Sequence, residues 1–175
     1  MGWLASLFGK KEKPQEEEFS TAYVMRQGKS VEADEVFLAW SSGDLERMLK
    51  ATELKANLVD RHFLLQTIVA LAYKQRKDDR FMQICLKYAD FHLREFPDLA
   101  IPLAGEVALA GEVKGYLPRV TTFQYFATAL TEVGQFEKAI EVCELALSYG
   151  LHDGTESGFE GRMARIKKKA LQKKT

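Results

Sequence analysis

Only two cysteines occur, Cys85 and Cys143, and neither stands in the paired spacing of a zinc or redox motif. A disulfide scaffold and a zinc ribbon are thereby excluded, and both residues, lying among apolar neighbours, are read as reduced core side chains of a cytoplasmic protein. Net charge is also missing. The 25 basic residues are balanced by 25 acidic ones, so no bulk attraction to nucleic acid or to a membrane is implied. No apolar run approaches the ~20 residues that a membrane-crossing helix needs. The opening segment MGWLASLF lacks the basic start and long apolar stretch of a secretory signal. After residue 32, β-branched alternation is nearly absent, which leaves no material for a large sheet.

What remains is ordinary soluble composition, with 46% apolar and 29% charged residues in a chain of 175. That length holds one domain able to bury a core without metals or disulfides. Residues 9–18, GKKEKPQEEE, combine opposite charges with a proline and contain nothing that offsets the entropy of ordering. The reading is therefore a flexible tail and linker over residues 1–31, followed by an α-helical domain over 32–175.

Helical periodicity organises the rest. A helix is expected over 32–41, with Val36, Phe37 and Trp40, and another over 44–55, capped by Asp44 after the Ser41-Ser42-Gly43 break. Asn57 caps a longer helix over 58–75. Residues 77–79 turn the chain into a helix over 80–95, where Pro97 is expected to end it, because the residue before a proline avoids the helical region. One further helix is expected over 102–114, within a stretch punctuated by Pro102, Gly105, Gly111, Gly115 and Pro118.

Between 120 and 149 the pattern is more specific. Phe123, Phe126, Ala127, Leu130 and Val133 share one side of a helix over 120–133, and Gly134 is free to end it with positive φ. In a helix over 136–149, Phe136, Ala139, Ile140, Cys143 and Leu147 form a stripe that Val142, Leu145 and Ala146 widen beyond what one partner helix covers. From 155 to 171 a last helix carries the narrow stripe Phe159, Met163, Ile166 and Ala170. This suits a cap, and its cations Arg162, Arg165, Lys167, Lys168, Lys169, Lys173 and Lys174 suit a helix C-terminus.

From Val120 to Asp153 the chain resembles a tetratricopeptide repeat, a unit of about 34 residues formed by two antiparallel helices. Phe123 and Phe126 fall where that family has its first-helix aromatic and leucine, Ala127 where it has glycine or alanine, and Leu130 where it usually has tyrosine. Gly134 and Phe136 match the turn, Ala139 and Ala146 the two alanines, and Cys143 the aromatic between them; Leu151 replaces the usual closing proline. Residues 58–97 resemble a degenerate copy through Ala72-Tyr73, Ala89 and Pro97, with a second helix about three residues too long. The resemblance covers half of the chain. It implies a short solenoid of stacked hairpins whose groove is lined by Thr121, Gln124, Thr128, Thr131 and Glu132. The lysine and asparagine pattern with which some members clamp a C-terminal carboxylate is absent.

Chemistry is harder to find. QGKS at 27–30 resembles the end of a phosphate-binding loop, but the glycine such a loop needs five residues before Gly28 is Tyr23, and no α/β pattern follows. His62, His92 and His152 match no metal spacing and neighbour no nucleophile, so each is read as a surface or boundary residue. Trp3, Leu4, Leu7 and Phe8 share one side of a two-turn helix ahead of Lys10, Lys11 and Lys13, which makes them candidates for peripheral contact with a membrane interface or for a small hydrophobic hook.

The expectation is thus a non-enzymatic, cofactor-free module that binds a peptide or helix of another protein, with no metal site and no nucleic-acid partner. A membrane-peripheral assembly factor and an enzyme in a helical fold are the alternatives, and a homodimer is compatible with the apolar ends of a short repeat stack.

Overall fold

The computed structural model describes residues 22–109 and 116–173. The linker at 9–18, the membrane-contact candidates Trp3, Leu4, Leu7 and Phe8, and the end of the helix expected over 102–114 lie outside these residues.

The described residues open with a two-stranded antiparallel hairpin, β1 (Tyr23–Arg26) and β2 (Lys29–Glu32), on the tail side of the expected boundary at 32. The QG of the QGKS motif is its turn. Gln27 and Gly28 both take positive φ, 50° and 74°, as a two-residue turn matching the twist of paired strands requires. The regular structure among the described residues is otherwise helical: α1 (Glu35–Ser42), α2 (Leu45–Ala51), α3 (Leu58–Lys74), α4 (Asp79–Leu109), α5 (Thr121–Glu132), α6 (Phe136–Ser148) and α7 (Gly158–Lys173). Side-chain caps set the early boundaries. Asp34, Asp44 and Asn57 each accept hydrogen bonds from backbone N–H groups of the first turn, satisfying donors that have no partner within the helix. Gly43 and Gly134 follow α1 and α5 with φ of 74° and 84°, which side chains with a Cβ resist.

The expected stop at Pro97 does not occur. α4 runs through Pro97 and Pro102 for 31 residues, so the separate helix expected from 102 is its continuation. Each proline removes one helical hydrogen bond, and an interior proline costs about 3 kcal/mol or more. Opposing this, Phe96, Leu99 and Leu103 are fully buried, at about 1.5 to 3 kcal/mol each. Tertiary burial beyond the first proline therefore outweighs the local rule.

Distances fix how the helices lie. Arg61 of α3 pairs with Glu95 of α4, and His62 with His92, so α3 and α4 are antiparallel across the turn at 75–78. Between α3 and α5, Gln66 meets Thr121, Tyr73 meets Tyr125 and Arg76 meets Glu132; the two helices run in the same direction. α5 packs on both α3 and α4, and α6 on both α5 and α7. The core lies between these layers. At its centre the Phe96 ring meets Phe123 and Tyr149 edge-on, with centroids 5.2 and 4.9 Å away. Cys85 and Cys143 are free and fully buried. In α7, Phe159 and Ile166 are buried and Met163 and Ala170 pack against the core, the narrow stripe read from the sequence.

The hairpin and α1 are tied to α3 by one carboxylate. Asp60, 1% exposed, accepts from Arg26 Nε (3.1 Å) and Nη2 (2.6 Å), from Trp40 Nε1 (3.0 Å) and from Asn57 Nδ2. Burial opposes its ionisation, but these donors outweigh it and hold the carboxyl below its ordinary range.

Candidate functional site

Three helices, α3, α5 and α7, place their outward side chains on one continuous face. Between α3 and α5 that face is a ladder: the Arg76 guanidinium lies 4.0 Å over the Tyr73 ring, Tyr73 stacks on Tyr125 at 4.3 Å, and Arg76 forms a forked ion pair with Glu132. Between α5 and α7, Arg162 Nη1 donates to Thr128 Oγ1 (2.8 Å) while its Nε and Nη2 hold Asp153 Oδ2 at 3.0 and 2.7 Å. The Asp153 side chain is fully buried and also accepts from Thr155 N and Oγ1. Burial again opposes the charge, and the Thr155 and Arg162 donors keep the Asp153 carboxyl below its ordinary range. Arg119 closes the same corner by donating to Gln124 Oε1 and to the Asp153 carbonyl.

Above this corner lies a cleft of about 170 Å³. Its α5 wall is Ala127, Thr128, Thr131 and Glu132; its α7 wall is Arg162, Arg165, Ile166 and Lys169. The groove residues read from the sequence thus divide. Thr128, Thr131 and Glu132 line the cleft. Gln124 is buried and bonded to Arg119, and Thr121 turns towards α3, its backbone N–H donating to Gln66 Oε1. Sequence reasoning missed the opposite wall, because Arg162, Arg165 and Lys169 read there as cations suited to a helix end. The signal was available in their spacing, which puts them on one edge of the helix beside the buried stripe.

A second cleft, of about 360 Å³, is lined by Thr52, Glu53, Arg61, Phe91, Arg94 and Glu95. Its charges are largely used internally: Arg61 holds Glu95 and the Thr52 carbonyl, and Arg94 pairs with Asp90 and covers Phe91.

Two histidines expected at the surface are in the core. His62 and His92 are 1% and 0% exposed, with His62 Nδ1 3.0 Å from His92 Nε2 and His92 Nδ1 2.7 Å from Thr122 Oγ1. The chain of bonds links α3, α4 and α5 and ends at His62 Nε2, which has no partner among the described residues. Burial lowers the His62 pKa to about 4 and, with the neighbouring His62 and Arg61, that of His92 well below its ordinary value. Both imidazoles are neutral at pH 7. Sealed from solvent, they meet no substrate. His152, by contrast, is exposed, as expected. The buried thiols are equally unreactive: desolvation pushes Cys85 up to about 12 and Cys143 up to about 11, leaving negligible thiolate at neutral pH.

Comparison of the chain with models of protein families, with curated proteins and with solved structures finds no match. No helix among the described residues is long and apolar enough to cross a membrane. The class that the geometry defines is a mostly helical protein of packed helical hairpins with a small β-hairpin ahead of α1.

Proposed function

We propose that this protein is a non-enzymatic interaction module that receives a peptide or helix of another protein on the face formed by α3, α5 and α7. In this reading α3/α4 and α5/α6 are stacked hairpins of a tetratricopeptide-like solenoid, and α7 begins a third level that ends the stack.

The observation that carries the reading is a change of step along the face. The contacts of α5 with α7, and of the loop before α5 with the loop before α7, join residues 34 apart, Thr128 with Arg162 and Arg119 with Asp153. That is the length of one tetratricopeptide unit. Between α3 and α5 the step is 52 to 56, from Tyr73 to Tyr125, from Gln66 to Thr121 and from Arg76 to Glu132. The first unit is lengthened by the extension of α4 and the segment after it, while the helices keep the same order and direction. A repeat stack of this kind presents a preformed surface, and a partner that docks there does not have to order the receptor.

The test is a photo-crosslinking amino acid placed at Thr131, on the face, or at Lys50, on α2, in the full chain. Cross-linking to a distinct protein from Thr131 alone is expected. Equal products from both positions, or none from Thr131, would remove the basis for the proposal.

A further inference from the structure

The cleft between α5 and α7 has walls of opposite hydrogen-bonding character, and this restricts what fits it. Arg162 is committed to Asp153 and Thr128, and Glu132 to Arg76. Arg165 gives one N–H to Ser157 Oγ at 3.0 Å, which leaves most of its five donors free. Lys169 has no hydrogen bond or ion pair among the described residues. The α7 wall therefore carries two cations without an acidic partner among those residues.

The α5 wall does the reverse. Thr131 Oγ1 donates its proton to the Ala127 carbonyl at 2.6 Å, so only its lone pairs face outward. The Glu132 carboxylate beside it is likewise an acceptor. Between the walls, Ala127 and Ile166 form an apolar floor. At about 170 Å³ the cleft is smaller than the ~300–1,000 Å³ of pockets that enclose small molecules, and has room for one anchoring side chain.

We infer that this cleft holds an acidic side chain of the partner segment, its carboxylate against Arg165 and Lys169 and the neighbouring backbone N–H directed to Thr131. The inference rests on the interaction reading above and names the chemistry of the partner. A carboxylate meets the cations, and the amide of the same residue meets the acceptor wall, so one acidic residue in an extended segment satisfies both sides. A nucleic acid fits less well. Its phosphate and sugar backbone offers no amide N–H to Thr131, and two cations are few for a charged backbone that is held by several.

The experiment pans a randomised peptide library displayed on phage against the intact chain and against the doubly reversed variant Arg165→Glu/Lys169→Glu. Both substituted residues are exposed, so the fold is retained, and thermal melting checks it. The intact chain is expected to select peptides rich in Asp and Glu. Synthetic copies of these should shift the amide resonances of Thr131 and Ile166 and lose at least about tenfold in affinity on the variant. Selection of neutral or basic peptides that shift the same resonances overturns the acidic inference and leaves the interaction reading standing. Acidic peptides that bind elsewhere, or that bind the variant equally, also overturn it. If a single-stranded oligonucleotide displaces them from the cleft at lower concentration, the partner is a nucleic acid and the inference fails. If no peptide is retained, both readings fall together.

Discussion

The buried histidine pair makes stability fall in mild acid. The unfolded His62 imidazole titrates near 6.5 and the folded one near 4, so the unfolded chain binds more protons between these values and stability rises with pH. The contribution is complete above the unfolded pKa and is lost as pH falls through the folded one. Treated as a single site, His62 loses about 2 kcal/mol between pH 7 and pH 5, and about 3 kcal/mol by pH 4. His92, shifted the same way, adds to the loss. The buried carboxylates cannot imitate it: the Asp60 and Asp153 pKa values are lowered from 3.8, so their stabilisation is lost only below that range. Urea unfolding of the intact chain at a series of pH values from 7.5 to 4.5 measures the slope. The variant His62→Gln keeps an amide that can bond His92 but does not titrate, and its loss between pH 7 and pH 5 should be smaller by about 2 kcal/mol. If the unsubstituted protein changes by less than about 0.5 kcal/mol over that interval, or if the variant shows the same slope, the account of a neutral buried pair is wrong.

Other perturbations have equally definite outcomes. Replacing Arg26 by Met leaves the buried Asp60 without its cation and should cost about 3 kcal/mol in urea unfolding, with amide exchange accelerated throughout 23–32. Arg162→Met strands the fully buried Asp153 in the same way; a loss of about 3 kcal/mol is expected, and a loss below about 1 would refute the assignment of that pair. Gly134→Ala forces a Cβ into a backbone with φ of 84° and to 2.9 Å from Lys173 Nζ, so thermal melting should drop by the equivalent of about 1 kcal/mol or more. Cys85 and Cys143 should be silent to a thiol reagent in the folded protein and react together only on unfolding.

How far the sequence revealed this structure depended on the range of the interaction involved. The caps Asp44 and Asn57 and the turn glycine Gly134 act within three or four residues, and the boundaries they mark agree with the structure to within a few positions. The stripes of α5 and α6 were equally readable, since helical spacing alone tells which side is apolar. Pro97 misled because its effect is local whereas the burial of Phe96 and Leu99 that overrides it is made by other helices. The histidine pair was hidden for a related reason. Each imidazole bonds a residue 30 positions away, and no spacing rule connects them. The hairpin was missed because its turn uses Gln27 where asparagine, aspartate or glycine would have announced it. Of the cleft, only the α5 wall was legible, because the α7 wall becomes part of a site only when the two helices are brought side by side.

The hydrogen bond from the Gln27 backbone N–H to Glu106 joins the tip of the hairpin to a late turn of α4 across 79 residues of chain. Because Arg26, next to it, also grips Asp60, opening there would unseat the start of α3 as well. The hairpin thus grips the start of α3 and the late part of α4 together, through Asp60 and Glu106.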